Sequence, residues 1–135
     1  MDVRTILNIC KLKATPCRTQ ILEMLVYAEH ALAHADIEQQ IDPSIDRVTV
    51  YRTLKTFLDR GLIHKVLDDE GLTKYAFCQE CSKEIHNHEH VHFKCESCGQ
   101  TQCLENIRIP EINLPSGFLS TQKNILIQGI CNQCK

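Results

Sequence analysis

Cys95-Glu96-Ser97-Cys98-Gly99 and Cys131-Asn132-Gln133-Cys134 are the segments whose residue types and spacing most clearly carry chemistry. Two residues between thiols let both sulfurs reach one ion from a tight turn, and Gly99 relieves the backbone after the second ligand. Two such pairs complete a tetrahedral four-thiolate shell, which suits zinc. The 32 residues between the pairs can hold two or three strands. A pair of redox-active dithiols is the competing reading. A closed four-thiolate site does no catalysis; its job is to hold together a unit too small for a substantial core.

Cys78-Gln79-Glu80-Cys81 is a third pair, and only Cys10, Cys17 and Cys103 remain to join it in a second thiolate site. The tract His86-Asn87-His88-Glu89-His90-Val91-His92 alternates, so in a strand its imidazoles share a face and His90 and His92 can serve one ion. Imidazole suits borderline metals such as zinc, iron and nickel. The bland alternative is a solvated polar loop that binds metal adventitiously. Nine cysteines also raise the idea of a disulfide scaffold. Against it stand the odd count, the C-x-x-C pairing, the seven histidines and an N-terminus without the apolar core of a signal peptide. The cytoplasm is the expected compartment. An enzyme is not expected: H-E-x-x-H is absent, as is H-x-E followed by P-C-x-x-C, and Glu89 is left without the context a zinc hydrolase or deaminase needs. A redox switch at Cys78 and Cys81 stays open, whereas Cys10 and Cys17 read as small buried apolar residues.

The elements that position these groups fall into two halves of an α+β chain of 135 residues. Residues 1–78 read as helices and a hairpin, and residues 79–135 as short strands carrying most of the cysteine. No apolar run approaches a membrane span. A helix is expected from Thr15-Pro16, capped by the threonine hydroxyl, with Ile21, Leu22 and Leu25 as its stripe. A second runs from His34 to Ile41, before Pro43. A third runs from Asp46 or Arg47 to Arg60, stopped by Gly61. On a wheel of the third helix, Val50, Phe57 and Leu58 lie within about 60° of Leu54 and face inward. Thr49, Arg52 and Thr56 face outward, Lys55 flanks them, and Tyr51 sits at the rim. Leu62–Leu67 and Leu72–Phe77, joined by Asp68-Asp69-Glu70-Gly71, read as a β-hairpin. Three helices and a hairpin make a winged helix-turn-helix, with the third helix suited to the major groove of DNA. An ordinary amphipathic helix would look similar. The formal charge of −2 means that any DNA contact is local and best made by a dimer.

Four features in this order resemble the ferric uptake regulator (Fur) family of metal-dependent repressors, over nearly the whole chain. They are Leu12-Lys13-Ala14-Thr15-Pro16-Cys17-Arg18 leading into the first helix and Arg47-Val48-Thr49-Val50-Tyr51-Arg52-Thr53-Leu54 as recognition helix. They continue with His90-Val91-His92-Phe93-Lys94-Cys95-Glu96-Ser97-Cys98-Gly99 and end with the pair Cys131 and Cys134. The resemblance implies a winged-helix DNA-binding domain followed by a small α/β dimerisation domain with a four-cysteine structural zinc site at Cys95, Cys98, Cys131 and Cys134. It also implies a homodimer on a palindromic operator, with a second, regulatory divalent metal acting as co-repressor. His90 and His92 match two regulatory ligands. Cys103 stands where iron-type members carry glutamate. Cys78 lies near the position where zinc-uptake-type members carry cysteine. His30 or His34 is the candidate from just before the second helix, and His88 is a further one. These thiolates favour zinc over iron or manganese. For DNA, the resemblance and the wheel together point to Arg52 at a base or a phosphate, to Tyr51 at a thymine methyl or the backbone, to Thr49 on the same face, and to Lys55, Arg18 and Lys13 at phosphates. Pro110 and Lys123 replace the ligands of a further iron-type site, and Pro110 and Pro115 break the long helix of many members. Dimer contacts then fall to strands near Thr101–Leu104 and Asn124–Ile130, with Ile125, Ile127 and Ile130 as interface or core. The rivals are an iron- or manganese-responsive repressor of the same family and a metal storage or delivery protein.

Overall fold

The computed structural model describes residues 2–67, 70–77, 91–104, 107–120 and 123–135. Cys78, Cys81, His86, His88 and His90 lie outside the described residues.

The chain begins with α1 (Val3–Ile9), then α2 (Pro16–Tyr27), β1 (Leu32–Ala33), α3 (His34–Gln40) and α4 (Arg47–Asp59). Strands β2 (Ile63–Leu67) and β3 (Thr73–Phe77) follow, then β4 (Val91–Cys95), β5 (Thr101–Leu104) and β6 (Ile125–Gly129). The threonine cap read from the sequence is present, and Asp46 supplies a second one. Thr15 Oγ1 accepts the Arg18 amide at 3.3 Å at the start of α2, and Asp46 Oδ1 accepts the Thr49 amide at 2.8 Å at the start of α4. Gly61, at φ 72°, turns the chain out of α4 into the wing. At α3 the cap is Ala33, and Asp36 accepts its amide at 2.9 Å.

Two elements go beyond the expected three helices and hairpin. Helix α1 has no side-chain cap and only seven residues. Packing holds it: Val3, Ile6 and Leu7 are buried in the helical core beside Ile21, Leu22, Val50, Leu54 and Phe57. Strand β1 adds a third strand to the wing, pairing Leu32 with Tyr75 and Ala33 with Lys74 in the order β1-β3-β2.

Both faces of the wing sheet are covered. Ile63 and Tyr75 join the helical core on one face. His64, opposite Ala76, and Val66, opposite Lys74, lie on the other, where Val66 and Ala76 cluster with Ala31. The second sheet has the order β5-β4-β6, with β4 antiparallel to β5 and parallel to β6. Contacts from Ala31, Lys74 and His64 join the sheets. The Ala31 amide donates to Thr101 O at 2.7 Å. Lys74 Nζ donates to Thr101 Oγ1 at 3.3 Å and to Gly99 O at 3.5 Å. His64 meets His92. Residues 107–120 contain no helix, as the two prolines require. Among the described residues no helix is long and apolar enough to cross a membrane.

Candidate metal centres and DNA-facing helix

The Cys95–Cys98 turn leaves the end of β4, and Cys131 follows β6 by two residues. Because β4 and β6 run parallel with Cys95 opposite Gly129, both turns emerge at the same end of the sheet. The four sulfurs of Cys95, Cys98, Cys131 and Cys134 lie within 4.8 Å of one another. Cys98 Sγ and Cys131 Sγ are 3.9 Å apart. A tetrahedral zinc with bonds of about 2.3 Å sets its sulfurs roughly 3.8 Å apart, so the cluster fits that ion. The Cys98 and Cys131 amides both donate to Cys95 Sγ at 3.4 Å. These two donors pull the Cys95 thiol down to about 6. Cys134 moves the other way, pushed up to about 12 mainly by its contact with the Cys131 sulfur. One thiolate is favoured by the backbone, and further negative charge beside it is resisted until a cation neutralises it. The sulfurs thus form a candidate cation site in which the backbone favours ionisation of Cys95.

The second cluster joins the two sheets. His92 and Cys103 are directly opposed across β4 and β5. His64 comes from β2 of the wing. One ligand atom from each of the three lies within 4.8 Å of the others. His64 Nε2 and His92 Nε2 are 3.4 Å apart, and both residues are buried. Two imidazole nitrogens on one tetrahedral zinc, each about 2.0–2.1 Å from it, sit roughly 3.4 Å apart, so this donor set also fits.

Sequence reasoning missed His64. Its signal was period: in Ile63-His64-Lys65-Val66 the histidine shares a strand face with a buried valine, and only Lys65 of these four is exposed. The expected His92 and Cys103 come together. His30 lines a cavity of about 160 Å³ together with Cys103, Leu25, Ala76 and Phe77, and its Nδ1 lies 3.0 Å from Ala31 O. His34 does not join the cluster. Its ring stacks on Tyr51 with centroids 3.8 Å apart, and its Nδ1 is 3.4 Å from Glu38 Oε1.

The α4 face splits as the wheel requires. Val50, Thr53, Leu54 and Phe57 are buried, whereas Thr49, Arg52 and Lys55 are exposed and Tyr51 is 51% exposed. Lys55 Nζ lies 3.8 Å from Asp59. Arg18 Nη1 donates to Lys13 O at 3.0 Å, which places both cations at the start of α2. That end of α2 packs on α4 through Cys17 Sγ, 3.3 Å from Thr53 Oγ1.

Residues 10–124 match the Ferric uptake regulator family. The ferric uptake regulation protein of Staphylococcus epidermidis is 35% identical over 130 residues, covering 92% of this chain and 87% of that protein. Among solved structures, holo XcZur superposes with a TM-score of 0.70 at 20% identity, covering 98% of this chain and 95% of its own. A zinc uptake regulator complexed with zinc and DNA gives 0.69 at 20% identity, covering 97% and 89%. This chain belongs to the Ferric uptake regulator family of metal-responsive transcription regulators.

Proposed function

We propose that the protein is a zinc-responsive repressor in which zinc at His64, His92 and Cys103 fixes the DNA-binding half against the C-terminal half. The observation that carries this reading is the approach of a wing histidine to a histidine and a cysteine of the other sheet. Bound there, zinc supplies a cross-link between the two sheets. Two imidazoles and a thiolate favour zinc over ferrous iron or manganese, which prefer more oxygen ligands. Cys78, His88 and His90 are candidates to complete the shell, and His30 is the candidate nearest Cys103. His34 is set aside because Tyr51 and Glu38 engage its ring. A second zinc at Cys95, Cys98, Cys131 and Cys134 holds the C-terminal sheet together.

The function divides between residues 1–78, which bind DNA, and residues 79–135, which dimerise and sense metal. Metal selects the orientation of the two DNA heads of a homodimer that fits a palindromic operator, working only through its higher affinity for that arrangement. Arg52, Tyr51 and Thr49 meet base edges, and Lys55, Arg18 and Lys13 meet phosphates. The site of action is the cytoplasm. The solved zinc uptake regulator bound to zinc and DNA supports the pairing of this fold with that role. The ferric name of the Staphylococcus epidermidis relative favours iron as the second reading.

The test is metal-dependent DNA binding on one purified sample. A duplex is first selected from a random pool by the metal-loaded protein, and its affinity is then titrated with buffered zinc, ferrous iron and manganese. Zinc is expected to restore binding at the lowest free concentration. Restoration by iron or manganese alone would overturn the choice of metal. Binding of several ions with no selected duplex would overturn the repressor and favour metal storage.

A further inference from the structure

Two helices meet through interlocked pairs of side chains on the DNA-binding half. On α3, His34 and Glu38 are four residues apart and share a face. On α4, Arg47 and Tyr51 do the same. Glu38 accepts from Arg47 Nε at 2.8 Å and from Arg47 Nη2 at 3.3 Å. The same carboxylate lies 3.4 Å from His34 Nδ1. The His34 ring then stacks on Tyr51, with centroids 3.8 Å apart and planes inclined by 24°. The Arg47 guanidinium, above all, holds the Glu38 carboxyl below its ordinary range, which places an anionic oxygen beside His34 Nδ1. His34 Nε2 is buried and has no hydrogen-bond partner among the described residues.

We infer that His34 is a positioning residue: its ring, oriented by Glu38 and Arg47, holds Tyr51 of α4 in the one orientation that reads DNA. The inference rests on the proposed DNA-binding role of α4. Tyr51 is 51% exposed although one ring face is covered, so its other face and its edge remain free. A free tyrosine at a helix surface samples several χ1 and χ2 states. One stacked on a ring that is itself half-buried and held beside the Glu38 carboxylate loses that freedom before DNA arrives, so the bound complex need not impose the order. A fixed ring edge can discriminate a thymine methyl from the other bases, whereas a mobile ring adds only sequence-tolerant contact.

The experiment uses the full chain with zinc saturating. A duplex selected from a random pool by the wild-type protein is compared with every single-base variant of itself, for wild type, His34→Ala, His34→Phe, Tyr51→Ala and the double substitution His34→Ala with Tyr51→Ala. Zinc per chain and circular dichroism are measured on each. His34→Ala is expected to lose about tenfold of discrimination at one A·T position in each half-site, with unchanged zinc content and unchanged affinity for unrelated duplex. His34→Phe keeps a stacking ring and is expected to restore that discrimination, which a metal-ligand role would forbid. The double substitution is expected to match Tyr51→Ala alone, because the two residues act as one unit. Wild-type discrimination in His34→Ala, additive losses in the double substitution, or loss of zinc in both His34 variants would each overturn the inference. A wild-type protein that selects no duplex would overturn the DNA reading itself. That result is separate from the others because it precedes every substitution.

Discussion

The two metal-ligand clusters differ in where their ligands originate. All four sulfurs lie at the end of β4 or in the turns beyond β4 and β6, neighbouring parallel strands of one sheet, so one folding unit assembles them. The second cluster takes His92 and Cys103 from an opposed pair on β4 and β5, but His64 from the wing. It exists only when the wing sheet docks on the C-terminal sheet. A metal on the sulfurs would stabilise a fold; a metal on the mixed cluster would stabilise a relative orientation of two halves. On the proposed reading, the difference between the two sites is topological before it is a matter of donor chemistry. Orientation can be set by an ion only through ligands that the two halves hold separately.

The largest effect should come from removing a sulfur. Cys131→Ser takes a buried thiol out of the four-sulfur shell. A structural zinc in a small unit contributes on the order of 10 kcal/mol of apparent binding free energy that is also folding free energy. The substituted chain is expected to lose one zinc by native mass spectrometry, and amide protection should collapse across β4 and β6. Helices α2 and α4, with their own core, should keep most of theirs. A protein that retained that zinc with β4 and β6 still protected would break the comparison at its stronger end.

His64→Ala should act on the other cluster alone. The four-sulfur zinc and the protection of β4 and β6 should persist. Affinity for the regulatory metal should fall by at least 10- to 100-fold, the range that even an outer-shell loss produces. Metal-dependent DNA binding should require correspondingly more zinc. Metal titration followed by a DNA gel shift measures both. If His64→Ala left the metal response intact, the wing would not supply a ligand, and the orientation mechanism would lose its link to the DNA-binding half.

The same contrast explains what the sequence revealed. The sulfur pairs are local signals: each C-x-x-C turn announces its own geometry, and the parallel pairing of β4 with β6 only brings the two together. Helix α4 was legible because its start at Asp46 or Arg47, its buried stripe of Val50, Leu54 and Phe57, and the stop at Gly61 all lie within one stretch. His64 was not legible as a ligand because its partners are 28 and 39 positions away in sequence, across a docked interface. His34 drew attention for the opposite reason. Its position before the second helix suggested a ligand, yet only the packing of α3 on α4 shows that its ring meets Tyr51. Helix α1 escaped notice because its seven residues are stabilised by tertiary burial and not by a cap.

A smaller effect tests how far the two clusters communicate. Lys74, on the wing face that carries His64, donates to Gly99 O, just past Cys98, and to buried Thr101 Oγ1. It ties the wing to the strand that leads from the sulfur turn to Cys103. Lys74→Met keeps the aliphatic stem and removes the donor, at a cost of about 1 kcal/mol for long charge-assisted bonds of this kind. Regulatory-metal affinity is expected to fall about fivefold, while the four-sulfur zinc stays bound. Equal loss at both sites in competition titrations would mean that the sulfur turn and the wing form a single unit.

The smallest effect should come from a residue outside both clusters. Asp46 caps α4, and its bonds to the Thr49 hydroxyl and amide hold its carboxyl below the ordinary range. A carboxylate so depressed contributes stability that is complete above its unfolded pKa and fades as pH falls through its folded value. Asp46→Ala should lower the melting temperature by a few degrees at neutral pH and by less in acid, where the wild-type carboxylate is itself protonated. If the regulatory metal sets only the relation of the two halves, the loss at neutral pH should be the same with that metal bound and with it removed. A loss that grew in the metal-loaded form would show the metal reaching the first turn of α4. The mixed cluster would then control the internal structure of the DNA-binding half as well as its orientation.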